Sequence, residues 1–197
     1  MTTAAAKSAL RDQALAKREL AREAAIEETF DAMSANMLDL LADKGFVAGG
    51  RVVAGYWPIG AEADPLPVLQ DLQAAGARVA LPCIEGPDLT FRELGDPAAF
   101  VSGPKGTRQP PASQPVVRPA ALIVPLLAFD LRGARLGYGK GYYDRALRAI
   151  RATGSVFAAG FAFEAQRVDF LPWEEWDEPL DGVVTEVRIR EFSRSMR

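Results

Sequence analysis

Ala120-Ala-Leu-Ile-Val124, closed by Pro125, is the stretch on which the fold turns. A continuous apolar run this short, stopped by a proline, predicts a strand buried on both faces, the habit of a parallel sheet. Downstream come a glycine-rich loop, a predicted helix over about 141–152 and a second strand over 155–161. Upstream, Arg51-Val-Val-Ala-Gly-Tyr56 is a β-rich run closed by Trp57-Pro58, and a predicted helix at 66–75 follows it, stopped by Gly76. Residues 78–81, ended by Pro82, read as another strand, and 89–94 as a shorter one. A short helical segment begins at 162–167, a last core strand lies at 182–185, and 188–192 adds an edge. Strand and helix alternate, so the class is α/β, with a mostly parallel sheet wrapped by helices.

Working outward, residues 4–41 are rich in Ala, Leu, Glu, Arg and Lys and hold no Gly or Pro, which predicts helix with one break near 25–29. Gly45, Gly49 and Gly50 end the second helix. Basic residues among alanines at 1–22 superficially suit a targeting peptide. Asp12, Glu19 and Glu23 break that acid-poor pattern, so the segment is expected to be a mature helix. Residues 95–119, dense in Pro, Gly, Ser and Gln, form a long loop, and ordered loops of that length are usually functional or mobile. The 197 residues make one domain, with helices at about 4–44 and an α/β core at about 51–192.

Composition removes whole classes of chemistry. The chain has no histidine, which excludes Ser-His-Asp triads, Cys-His dyads, HExxH zinc sites and any imidazole base. Its single cysteine, Cys83, therefore lacks the usual activating partner and reads as a buried structural thiol in a reducing compartment. A net charge of −3 disfavours nucleic acid as a partner. No apolar run approaches the ~20 residues needed to span a bilayer. Carboxylates, Lys, Arg, Tyr, backbone amides or a hard metal must do the work.

The densest chemical signal is Asp130-Leu-Arg-Gly-Ala-Arg-Leu-Gly-Tyr-Gly-Lys-Gly-Tyr-Tyr-Asp144. Gly137, Gly139 and Gly141 alternate just before a predicted helix, exposing successive N–H groups ahead of a positive helix terminus. Arg135 and Lys140 add full charges, making a cradle for a polyphosphate. A Walker loop ending at Lys140 needs Gly at 134 and Ser or Thr at 141, but the chain has Ala134 and Gly141. The G-x-G-x-G spacing also misses the dinucleotide fingerprint. A turn merely stiffened by surface cations is the other reading of the same residues.

The run from Arg135 to Asp144, with Phe129-Asp130 and Gly133 ahead of it, resembles the signature of the 5-formyltetrahydrofolate cyclo-ligase family. Lys7-Ser-Ala-Leu-Arg11 is similar to that family's short basic motif. Tyr56-Trp-Pro-Ile-Gly-Ala-Glu62 sits where the family has its folate-binding segment, and Trp176-Asp-Glu-Pro-Leu-Asp-Gly-Val-Val-Thr-Glu186 resembles its closing motif. The blocks occur in family order across almost the whole chain. The resemblance implies a three-layer α/β/α fold with a Rossmann-like sheet, similar in architecture to sugar-phosphate isomerases. It also implies ATP- and Mg²⁺-dependent cyclisation of 5-formyltetrahydrofolate to 5,10-methenyltetrahydrofolate in the cytoplasm, with ADP and phosphate released. The substrate would be a folate with or without added glutamates, and the protein a monomer or weak dimer.

Residue by residue, the resemblance implies that Lys140, Arg135 and Tyr142 act in catalysis. ATP is expected at Lys7, Arg11, Arg135, Leu136, Gly137, Tyr138, Gly139, Lys140, Gly141, Tyr142 and Tyr143. Folate is expected at Trp57 and Glu62 and along Tyr138, Gly139, Lys140, Gly141 and Tyr142. Asp144 and Asp177 are the expected Mg²⁺ ligands, with Asp181 as second choice; hard oxygens suit that ion. Outside the resemblance, Lys7 would pass for a solvated helix lysine, Trp57 for a strand-end core residue, and Asp144 for a first-turn acid favoured by the helix dipole.

Two positions depart from the family pattern. Trp176 stands where a histidine often precedes the C-terminal aspartate. Gly106-Thr-Arg-Gln-Pro110 replaces the usual Gly-Ile step before an acidic residue and proline, leaving that loop without an assigned role. Two rival readings share the fold: a phosphosugar isomerase-like protein that consumes no ATP, and a folate- or nucleotide-binding regulator without turnover.

Overall fold

The computed structural model describes residues 3–47 and 49–193; Met1, Thr2, Ala48 and residues 194–197 lie outside it. Two helices, α1 (Thr3–Ala24) and α2 (Glu27–Asp43), precede the sheet, broken at residues 25–26. Seven strands then form one sheet: β1 (Val52–Ala54), β2 (Arg78–Glu85), β3 (Asp88–Glu93), β6 (Ala121–Val124), β9 (Phe157–Phe161), β10 (Gly182–Val184) and β11 (Ile189–Glu191). Two hairpins stand apart from it: β4 (Val101–Ser102) with β5 (Arg108–Gln109), and β7 (Ala128–Phe129) with β8 (Arg135–Leu136). The remaining helices are α3 (Leu66–Ala74) and α4 (Tyr142–Thr153).

Sheet order is β11-β10-β9-β6-β1-β2-β3. The five inner strands run parallel, and the edge strands β3 and β11 are antiparallel. Every residue of β6 is buried, as its unbroken apolar run requires. Strand residues alternate between two cores. Val53, Ile123 and Val184 join Met37 and Leu41 of α2 and Leu69 and Leu72 of α3 on one face. Val52, Leu122 and Val183 join Ala146 and Leu147 of α4 on the other. Those are the three layers expected.

Small residues make room where elements crowd. A Cβ at Gly160 of β9 would come 2.7 Å from Leu126 Cδ2 and 2.8 Å from Leu180 Cδ1, so only glycine lets that strand pass. Three boundaries differ from expectation. β2 continues through Pro82 to Glu85. Beyond Ala80 it pairs with β3 alone, so the proline's missing N–H breaks no ladder toward β1. The expected short helix after residue 162 is a single 3₁₀ turn at Glu164–Gln166. The long loop over 95–119 carries the β4–β5 hairpin and two 3₁₀ turns. Among the described residues no helix is long and apolar enough to cross a membrane.

Candidate active site

Read along the sheet, the parallel strands run β2-β1-β6-β9-β10, so chain order reverses between β1 and β6. Open α/β sheets bind ligands at such a switch point, outside the carboxyl ends of the strands. A cleft of about 290 Å³ lies there. The loop after β1 supplies Trp57 and Glu62, the loop after β6 supplies Pro125 and Leu126, and the β4–β5 hairpin supplies Thr107 and Arg108. All the predicted ATP, folate and Mg²⁺ residues line this one cleft: Lys7, Arg11, Trp57, Glu62, the run from Arg135 to Asp144, and Asp177.

The glycine loop leaves β8 and enters α4 with Gly139 at φ +86° and Gly141 at φ +66°, both in the left-handed region that suits glycine. Arg11 lies directly on it. The Arg11 Nε–H donates to Gly137 O at 3.1 Å, and a Cβ on Gly139 would come 2.9 Å from Arg11 Cζ. Lys140 is exposed at the tip of the loop. Arg135 is turned the other way, its Nη2 donating to Asp144 Oδ1 at 2.6 Å. The Glu178 N–H gives the same oxygen a second bond at 3.1 Å. Asp144 thus holds a guanidinium from the first turn of α4.

Lys7 is 6% exposed, far from the solvated helix lysine its neighbours suggest. Its ammonium donates to Glu174 Oε2 at 2.8 Å and to Asp177 Oδ2 at 2.5 Å, and the Glu174 N–H donates to the same Asp177 oxygen at 2.8 Å. Two carboxylates therefore converge on one cationic point at the rim of the cleft. Among the described residues no three acidic, Cys or His side chains form a ready cation cage. Mg²⁺ typically takes only one or two carboxylates and fills the rest with phosphate and water. The donor set of Asp144, Glu174 and Asp177 therefore fits an ion that arrives with its nucleotide. Asp181, the second-choice ligand, points elsewhere: it accepts from the Ala158 N–H at 2.8 Å and from Arg151 at 3.0 Å, and does not line the cleft.

Also lining the cleft, Trp57 packs edge-on against Phe100, with centroids 6.1 Å apart. The Arg108 guanidinium sits 5.5 Å from the indole centroid. Glu62 is 5% exposed; the Ile59 N–H donates to its Oε2 at 2.8 Å, and Arg18 Nη1 stands 3.5 Å from Oε1. Burial first, then the Glu62 carboxylate, raises both the Tyr56 and Tyr143 hydroxyls, so each stays a neutral phenol near neutral pH. The Tyr56 hydroxyl donates to Ala63 O at 2.5 Å, which marks it as a strut. Cys83 is buried with its sulfur 3.6 Å from Pro110 O, and burial raises its thiol, as expected of a structural cysteine.

Sequence reasoning missed Glu174, Arg108 and Arg18. Glu174 sits in an acidic run that looks like a solvated turn, and Arg108 lies in the loop left without a role. Arg18 is one more basic residue on a helix full of them. No periodicity or spacing singles any of them out.

The chain matches the model of the 5-formyltetrahydrofolate cyclo-ligase family over residues 3–186. It is 32% identical over 192 residues to the 5-formyltetrahydrofolate cyclo-ligase of Mycolicibacterium smegmatis, covering 92% of this chain and 94% of that one. Identity to the protein of that name in Escherichia coli K12 is 34% over 153 residues, or 74% of this chain and 84% of that one. Among solved structures, the 5,10-methenyltetrahydrofolate synthetase of Aquifex aeolicus superposes with a TM-score of 0.76 at 32% identity, over 97% of this chain and 96% of that one. The synthetase of Mycoplasma pneumoniae superposes at 0.69 with 24% identity, over 91% and 98%, and supports the fold alone.

Proposed function

The chain belongs to the 5-formyltetrahydrofolate cyclo-ligase family, and from that premise we infer that it uses ATP to close 5-formyltetrahydrofolate into 5,10-methenyltetrahydrofolate. One observation carries the residue-level reading: a cleft at the switch point is lined both by a cationic glycine loop and by Trp57 with Glu62. That is the geometry for presenting a terminal phosphate to a folate. Neither rival reading accounts for both.

The reaction needs three events. The formyl oxygen attacks the γ-phosphorus as the bond to ADP breaks. N10 then attacks the activated formyl carbon, and phosphate departs with the formyl oxygen as the five-membered ring closes. Phosphoryl transfer of this kind depends on positioning and charge neutralisation more than on an acid or base, so a site without histidine meets the demand. Lys140, free to swing at the loop tip, and the amides of Gly137, Gly139 and Gly141 hold the transferring phosphate. Arg11 braces the loop from behind. Arg135 acts through Asp144, which it orients beside the phosphates. Tyr142 borders the transferring group. Trp57 offers a flat face to the pterin and Glu62 an acceptor pair to its N–H edge.

Mg²⁺, held by Asp144 and Asp177 with Glu174 beside them, supplies charge neutralisation at the phosphates when bound. Lys7 and that ion would share Asp177 and Glu174, while Asp144 also holds Arg135. Arg108 gives one N–H to Pro97 O at 3.1 Å and faces the mouth of the cleft, where it meets the carboxylates of the folate's glutamate tail, single or extended. The enzyme works in the cytoplasm as a monomer or weak dimer, in keeping with its reduced, buried Cys83.

The direct test mixes purified protein, 5-formyltetrahydrofolate and Mg-ATP and follows the methenyl chromophore, with ATP omitted in the control. ATP-dependent appearance is expected. Folate binding without turnover would favour the regulator, and no binding of either ligand would remove the reading.

A further inference from the structure

We propose that Arg18, which lies outside every nucleotide or folate motif, is the positioning residue that fixes the folate-binding carboxylate of Glu62 and locks it to the glycine loop. The proposal rests on the reading of Glu62 as a substrate contact. Arg18 is 2% exposed on the inner side of α1. Its Nη2 donates to Tyr138 Oη at 2.6 Å, with the guanidinium carbon 5.5 Å from that ring's centroid. Its Nη1 donates to Leu126 O at 3.4 Å and stands 3.5 Å from Glu62 Oε1.

These three partners come from three different loops: the one after β1, the one after β6 and the one after β8. All three partners line the cleft. One planar fork therefore ties together the loops that meet at the switch point, and it does so from underneath, where no ligand reaches it. A helix packed on a sheet has no need of this. An apolar side chain would bury α1 as well, whereas a buried charge carries a desolvation penalty that good packing avoids.

What the charge provides is an oriented carboxylate. Glu62 is held at one oxygen by the Ile59 N–H and faced at the other by Arg18, so its plane is fixed. A carboxylate held in one plane suits a ligand that presents two N–H donors side by side, as the amino-pyrimidine edge of a pterin does. A guanidinium suits the position better than an ammonium, because its Nη2 serves the tyrosine while its Nη1 faces the carbonyl and the carboxylate.

The test is a double-mutant cycle read by equilibrium binding of 5-formyltetrahydrofolate without ATP, followed by intrinsic tryptophan fluorescence, with thermal unfolding measured alongside. R18Q and E62Q are each expected to weaken folate binding about tenfold to a hundredfold, the worth of one charge-assisted contact. The R18Q/E62Q double variant is expected to bind no worse than E62Q alone, because residues acting as a unit are not additive. R18K, which keeps the charge and loses the fork, should recover part of the affinity. If R18Q does not fold, the R18K/E62Q cycle carries the same comparison. Losses that multiply in the double variant would overturn the Arg18 proposal while leaving Glu62 as a substrate contact. An E62Q protein with wild-type affinity would overturn the reading of Glu62, and the proposal with it.

Discussion

Replacing Lys7 by methionine tests whether a protein cation and a metal ion occupy the same place. The substitution keeps the length of the side chain and removes its charge. In the structure that ammonium lies within 2.8 Å of two carboxylate oxygens, with side-chain exposures of 7% for Lys7 and 16% for Glu174 and for Asp177. Breaking a buried ion pair from one side costs about 3–5 kcal/mol, because the partner is left charged and uncompensated. The residual exposure of the carboxylates puts this site at the lower end, about 3 kcal/mol. For a chain of this length each kcal/mol moves Tm by about 2–4 °C, so K7M should melt about 6–12 °C below wild type without divalent ions. Millimolar Mg²⁺ should restore a large part of that loss in K7M and move wild type little, since in wild type Lys7 already neutralises the pair. The assay is thermal unfolding by circular dichroism with EDTA or Mg²⁺, without nucleotide. A K7M Tm within about 2 °C of wild type, or equal Mg²⁺ responses in both proteins, would refute the reasoning.

Four further outcomes are expected. Lys140→Ala, at an exposed loop tip, should lower kcat about 10²–10³-fold while unfolding free energy moves by no more than about 0.5 kcal/mol; near-normal turnover would remove Lys140 from the phosphate site. Gly139→Ala forces a Cβ onto Arg11 at φ +86°, so KM for ATP should rise more than folate affinity falls. Arg108→Ala should narrow the preference for glutamate-extended over single-glutamate substrate, measured as the ratio of their kcat/KM values. Glu164 offers a pH test. Burial opposes its charge, but bonds from Arg190 and Thr185 outweigh this and hold its carboxyl below the ordinary 4.5. A depressed folded value means the stabilisation is present above the unfolded value and is lost as pH falls through the folded one. The Tm gap between wild type and Glu164→Gln should therefore be open at pH 7 and shrink as pH falls below the ordinary 4.5; a pH-independent gap would contradict the assignment.

What could be read in the sequence and what could not divide along a physical line. The all-buried β6, the break between α1 and α2 and the glycine loop before α4 are local statements, made by consecutive residues under steric and burial rules, and they were legible. The cleft residues of the loops after β1 and β8 were legible by family likeness. Pro82 misled because a proline ends a strand only where its N–H has a partner to lose, and whether β2 has such a partner there depends on where β1 stops. Arg18 was opaque for a related reason, and Lys7 was legible by family likeness alone. On α1 both look like Lys17 or Arg22, solvated cations on a helix rich in charge. Their roles exist only because the chain returns, more than a hundred residues later, to set Glu174 and Asp177 against one and Tyr138 and Leu126 against the other. An amino-terminal helix with no strand of its own is thus tied into the site by its cations. It follows that α1 should tighten against the core when the glycine loop closes on phosphate. Hydrogen exchange along residues 6–24, compared with and without Mg-ATP, would read that coupling directly.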